Sequence, residues 1–199
     1  MTNKDNTVNI KPRKARYHHG DLRSALIEEG MAEISMKSPE EISLREIARR
    51  AGVSATAVYR HFPDKAALLG ALCEVGSERL NAAFEEAMKL TPGGREALNA
   101  MGRAYVRFAL ANPSLFRMMM TYPSPGSAGD AGAPLWEARL RMVSRSLEGI
   151  LPKGASAERR RIRQLQAWSI VHGLAMLMLD GQVPADDAVI DQVVESSFV

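Results

Sequence analysis

Residues 43–65, SLREIARRAGVSATAVYRHFPDK, decide the fold. The stretch reads as two short helices joined by a tight turn. Ser43 is placed to N-cap the first helix, and Glu46, three residues on, completes a capping box. Leu44, Ile47, Ala48 and Ala51 fall on one helical face. Gly52 stands where a helix C-terminus needs a left-handed residue. Ser54 caps the second helix, which carries Val58 inward and ends near Phe62. Pro63 stops it, because proline drives the preceding residue out of the helical region. Asp64 caps a third helix that starts at Lys65.

Small Ala48 lets the second helix approach closely, Gly52 makes the bend, and Val53 and Val58 plug the angle between the two helices. That is the physical specification of a helix-turn-helix, whose second helix enters the major groove of DNA. The exposed face of this helix carries Ala55, Thr56, Tyr59 and Arg60, with His61 at its end: short or planar side chains suited to bases and phosphates. An ordinary helical hairpin with a glycine turn is the plainer alternative. It does not account for the caps, both valines and the cationic end together.

Working outward, residues 21–36 read as a helix on which Leu22, Ala25, Leu26 and Gly30 share a face, packed across the helix-turn-helix to complete a three-helix head. Residues 37–41 connect the two. Residues 1–16 are polar and unpatterned and carry Lys4, Lys11, Arg13, Lys14 and Arg16 against Asp5. They read as a flexible basic arm, either without a role or adding salt-dependent phosphate and minor-groove contacts. The chain has a net charge of +3, and the excess is concentrated at its start: residues 1–65 hold twelve Lys and Arg against nine Asp and Glu, and the remainder is balanced. A polyanion partner for the N-terminal third is expected; a uniformly basic surface is not.

The stretch GVSATAVYRHFPDKAALL resembles the recognition region of the tetracycline-repressor (TetR) family of bacterial regulators. The resemblance covers residues 17–80. The lead-in YHHGDLRSAL and the later AWSIVHGLAML resemble one branch of it, whose C-terminal domain is named for a Trp-His-Gly signature. The resemblance implies that Ser54, Thr56, Tyr59, His61 and Lys65 occupy DNA-contact positions. Tyr59, His61 and Lys65 would mainly hold phosphates, while Thr56 and its neighbours read bases. Ser43 and Arg45 on the preceding helix, with Ala55 and Arg60, complete the candidate DNA-binding set. Ala55 offers a base only a methyl contact.

Beyond the head, residues 64–90 read as one long helix. Leu69, Leu72 and Val75 continue the core of the head, and Leu80, Phe84, Ala87 and Met88 begin a second core, so this helix links the two mechanically. Cys73 reads as a small buried hydrophobe. Thr91-Pro-Gly-Gly breaks the helix. Leu98, Met101, Tyr105 and Phe108 then trace a helical stripe ending at Asn112-Pro113, and a short helix, SLFRMMMTY, follows. Residues 123–134, rich in Pro, Gly, Ser and Ala, read as a loop. Helices resume over residues 135–150, 156–180 and 186–197. Strand signals are absent, so the expected fold is all-α. The division is an arm (1–16), a DNA-binding head (17–75) and a C-terminal helical bundle for ligand binding and dimerisation (76–199).

The helix from Ser156 begins with a charged run, ERRRIRQ, and from Trp168 to Leu179 is apolar nearly all round, broken by Ser169 and His172. Such a helix must be covered on every side. Its own bundle covers one side, and a second copy of the chain is the simplest cover for the other. Gly173 and Ala175 allow close approach, and Val189, Ile190, Val193 and Val194 on the last helix extend that surface. The resemblance likewise implies a homodimer built by the last two helices.

Trp168, His172 and Met176 share one helical face and, with Phe116, Met119, Met120, Trp136 and Met142, are the candidate lining of a ligand cavity. Seven of the eleven methionines lie after residue 100, and flexible thioethers suit a pocket for varied apolar shapes. Plain core packing explains any one of these residues as well, and His172 fits either a core hydrogen bond or a ligand contact.

No catalytic constellation appears: there is no activated Cys-His pair, no phosphate loop and no metal site, since His18, His19, His61 and His172 lie in different elements. No cofactor is implied. The single cysteine excludes an intramolecular disulfide, the first twenty residues lack an apolar run, and residues 174–179 are too short to cross a bilayer. A cytoplasmic protein without a membrane partner is expected. The reading is a dimeric regulator, most simply a repressor, that binds a pseudo-palindromic DNA operator and is released by a small apolar or aromatic effector. A constitutive DNA-binding regulator without a ligand is the alternative.

Overall fold

The computed structural model describes residues 22–122 and 154–197. Every regular element among them is helical: α1 (Leu22–Ile34), α2 (Leu44–Arg50), α3 (Ala55–Tyr59), α4 (Lys65–Met88), α5 (Gly94–Ala111), α6 (Pro113–Thr121), α7 (Ala157–Leu179) and α8 (Asp187–Ser196), with a 3-10 turn at Pro39–Glu41. The expected arm, the loop at 123–134, the helix at 135–150, and Trp136 and Met142 lie outside the described residues.

The head forms as its sequence dictates. Ser54 Oγ accepts from the Ala57 amide at 3.2 Å and Asp64 Oδ1 from the Ala67 amide at 2.8 Å, so α3 and α4 are each capped by the residue before them. Gly52 adopts φ +69°, which a β-carbon would disfavour, and this lets the chain leave α2 and enter α3. Leu44, Ile47, Ala48, Ala51, Val58 and Phe62 are all buried. The capping box expected at the start of α2 is absent. Ser43 occupies the N-cap position, but its side chain makes no cap hydrogen bond. Glu46 turns instead to Arg49, accepting two hydrogen bonds at 2.6 and 2.9 Å. A bidentate guanidinium outcompetes a single backbone amide for the same carboxylate.

Where two cores were expected, a single apolar cluster runs through the molecule. It passes from Leu26, Ile47 and Phe62 in the head, along Leu72, Leu80 and Phe84 of α4, to Tyr105, Phe116, Val171 and Val194 in the C-terminal helices. Close helix crossings make this continuity possible. A β-carbon on Gly76 of α4 would lie 2.6 Å from Met119 Sδ of α6, and one on Gly102 of α5 would lie 3.1 Å from Val194 and 3.2 Å from Val171. On its outer side α8 is tied to α5 by charge. Arg107 meets Asp187 at 2.8 Å, Arg103 meets Glu195 at 3.3 Å, and both arginines lie 3.8 Å from Asp191. Arg117 of α6 pairs with Asp180, the residue that ends α7.

Candidate functional site

Helix α3 stands on the surface of the head with Val58 as its buried anchor, leaving Ala55, Thr56, Tyr59 and Arg60 exposed. His61, in the turn that follows, is exposed as well. Beside α3 lies an open groove of about 390 Å³ lined by Ile42, Ser43, Leu44, Arg45, Tyr59, Pro63, Asp64 and Lys65. Four residues singled out from sequence, Ser43, Arg45, Tyr59 and Lys65, come from α3 and from the starts of α2 and α4, yet they meet on this one groove.

The missing capping box bears on this site, because the Ser43 side chain is not spent on the α2 terminus. The cations also divide into two sets. Arg49 is engaged by Glu46, and Arg50 by Glu29 at 2.7 Å and by the buried Glu33 at 3.1 Å. The Arg49 guanidinium holds the Glu46 carboxyl below the usual carboxylate range, and Glu29 raises the Arg50 guanidinium. Among the described residues Arg45 and Arg60 form no ion pair, which leaves their charge for an outside anion. Lys65 donates to the Glu40 carbonyl at 2.6 Å, tying the start of α4 to the 3-10 turn, and an ammonium has further donors to offer. Ser54 accepts in its cap and keeps its hydroxyl proton to donate.

The second candidate site lies among α5, α6 and α7. Phe116 is fully buried and meets Tyr105 edge-on, with ring centroids 5.4 Å apart; it also lies 5.8 Å from His172. Trp168 and His172, one turn apart on α7, both reach the Tyr105 hydroxyl. Trp168 Nε1 donates to it at 3.1 Å, and His172 Nδ1 lies 3.0 Å from it. Indole N–H can only donate, so the tyrosine oxygen accepts from Trp168 and its own proton is available to His172 Nδ1. Met120 Sδ is 3.9 Å from the same hydroxyl. Met119 instead faces α4 at Gly76, with little exposure. Met176 is half-buried and packs against the core.

Phe116, Met120, Trp168 and His172 therefore do converge, but around Tyr105, which the sequence reading placed only in a core stripe. The signal was available: a tyrosine hydroxyl in an apolar stripe needs a polar partner, and His172 and Trp168 were candidates for it. No group of three His, Cys, Asp or Glu among the described residues could hold a metal ion. No helix among them is long and apolar enough to cross a membrane.

Comparison with known proteins agrees with this architecture. Residues 26–72 match the family of bacterial regulatory proteins of the tetR type, and residues 98–197 match the tetracyclin repressor-like C-terminal domain. A solved protein of unknown function from Rhodococcus sp. RHA1 is 31% identical, with a TM-score of 0.70 over 92% of this chain and 96% of that one. A TetR-family transcription regulator from Marinobacter aquaeolei VT8 is 22% identical, with a TM-score of 0.62 over 88% of this chain and 93% of its own. The transcriptional regulator FadR of Bacillus subtilis, solved in complex with stearoyl-CoA, shares the fold at 14% identity, with a TM-score of 0.63 over 88% and 97% of the two chains.

Proposed function

Because this chain belongs to the TetR family of DNA-binding transcriptional regulators, we propose that it is a dimeric repressor that binds a pseudo-palindromic operator and is released by a small apolar or aromatic effector. The observation that carries the DNA half of this reading is the groove shared by Ser43, Arg45, Tyr59 and Lys65 alongside the exposed face of α3. In it the phosphate backbone is held by Arg45, Tyr59 and Lys65, with Ser43 and His61 as further donors. Thr56, in the first turn of α3, then faces base edges, Ala55 offers a thymine-methyl contact, and Arg60 and Ser54 flank them. Residues 17–75 form the DNA-binding unit and residues 76–199 the ligand-binding and dimerisation unit.

Support for the dimer comes from α7. Leu177 is 41% exposed and Ile162 48% exposed, and a β-carbon on Gly173 would meet nothing within 4 Å. A second copy laid along this face, with Val189 and Val193 of α8 beside it, covers the exposed apolar surface. A two-fold dimer in turn places two copies of α3 on two half-sites.

The effector reading rests on the aromatic cluster. Half-buried Met120, Trp168, His172 and Met176 lie around the buried Phe116 and Tyr105, giving apolar side chains with one hydrogen-bonding centre at Tyr105 and His172, the composition of a small-molecule site. An effector that displaces α6 acts on α4 directly, through the contact of Met119 with Gly76, and α4 carries the head. Release from DNA then requires only that the effector bind the displaced arrangement better. The protein acts in the cytoplasm, on DNA, without catalysis of its own.

The test is binding of the purified protein to a randomised duplex pool, followed by titration of the selected site with apolar and aromatic compounds and acyl-CoA thioesters. Enrichment of a two-fold symmetric site that at least one compound releases is expected. A selected site that no apolar compound releases favours a constitutive regulator, and failure to select any site refutes the reading.

A further inference from the structure

One cation of the head belongs neither to the helix-turn-helix nor to any ion pair among the described residues. Arg23, the second residue of α1, places its guanidinium carbon 5.5 Å from the ring centroid of Phe62. Phe62 is 2% exposed, whereas Arg23 is exposed, so the guanidinium lies as a lid on a ring that otherwise plugs the core. No acidic residue occupies the first turn of α1 to balance it. Chain connectivity keeps it close to the groove: Phe62 lies between exposed His61 and Pro63, and Pro63 lines the groove with Tyr59, Arg45 and Lys65.

A cation–π contact is an informative way to hold an arginine. The electron-rich ring face attracts the cation without accepting conventional hydrogen bonds from it, so the N–H donors stay available to an acceptor. The side chain is thus ordered beforehand without being neutralised. Arg49 and Arg50, held by carboxylates, are neutralised.

We propose that Arg23 is a DNA-backbone contact, holding a phosphate beside the one that His61 and the groove engage and so extending the footprint of each head beyond the helix-turn-helix. This rests on the reading of the α3 face as the DNA-binding face. The contact carries no base information. It sets affinity and salt dependence, and the Phe62 ring sets its position.

The experiment measures affinity against salt concentration on the selected operator, and on half-site variants, for the full chain and for Arg23→Gln, Arg23→Lys and Arg45→Gln. Removing one phosphate contact lowers the slope of log affinity against log salt by about 0.9, so Arg23→Gln in a dimer should lower it by about 1.8. Its affinity should fall by the same factor on every half-site variant, and Arg23→Lys, which keeps the charge, should recover most of the slope. An Arg23→Gln protein with the wild-type slope overturns the proposal. So does one whose affinity falls only as far as its melting temperature explains. If Arg45→Gln flattens the slope and Arg23→Gln does not, Arg23 is a structural lid on Phe62 and the DNA-binding face stands. If the unmodified protein selects no operator, both readings fail.

Discussion

Replacing Gly76 by alanine tests the contact by which α6 presses on α4. Alanine at this helical position favours the helix by about 1 kcal/mol over glycine. Its β-carbon, however, would lie 2.6 Å from Met119 Sδ and 3.1 Å from Leu115 Cδ1, and carbon–sulfur contact needs roughly 1 Å more than the first of these. Met119 is 6% exposed and Leu115 4%, so neither side chain can swing out into water. Overpacking of this kind costs about 1–3 kcal/mol. The two effects oppose each other, and the net expectation is a loss of about 0–2 kcal/mol. Met119→Ala alone leaves a cavity and costs about 2–5 kcal/mol. In the double variant the new methyl group occupies part of that cavity, so the losses do not add, and a coupling of about 1–2 kcal/mol is expected. Urea unfolding of the four proteins measures it. If Gly76→Ala gains the full helix preference and the two substitutions add, α6 does not sit on α4 as described, and the route from effector to head fails with it.

Other perturbations separate the remaining roles. Tyr105→Phe removes the hydroxyl that Trp168 and His172 share and should cost about 1–3 kcal/mol of stability in thermal unfolding. It should also change the affinity of any effector found; loss of neither would remove Tyr105 from the site. Leu177→Glu should convert the dimer to a folded monomer by light scattering, whereas Leu174→Glu, at a position only 7% exposed, should unfold the chain instead. Met119→Trp overpacks the α4–α6 contact, pushes α6 away from α4 and should weaken operator affinity in the protein that remains folded and dimeric, while normal affinity would show that this contact does not reach the head.

The head was legible in the sequence because its signals are local. The Ser54 and Asp64 caps, the left-handed Gly52 and the stop at Pro63 each act within a few residues, and α3 and α4 begin where those signals place them. The Ser43 capping box failed because Glu46 had a competing partner three residues further on, which a capping pattern does not weigh. Tyr105 was missed as the centre of the aromatic cluster because its partners lie 63 and 67 residues away, and only the packing of α7 on α5 brings them together. The same limit hid the engagement of Arg50 by Glu29 and Glu33 of α1, while the Arg49 pair with Glu46 is local. Arg45, Arg49, Arg50 and Arg60 look alike in sequence, and only the carboxylates around each decide which present an uncompensated charge.

The central claim is that α3 reads bases while the groove beside it holds the backbone. Selection from a randomised duplex pool, run in parallel with the unmodified protein, Thr56→Ala and Tyr59→Phe, tests it most directly. The account predicts a two-fold symmetric site for all three proteins. Thr56→Ala should alter the preference at one base pair in each half-site, by about 1–3 kcal/mol where the contact is good. Tyr59→Phe should keep the same preferences and bind every sequence more weakly. A uniform loss for both variants, or a changed base preference for Tyr59→Phe alone, would contradict it.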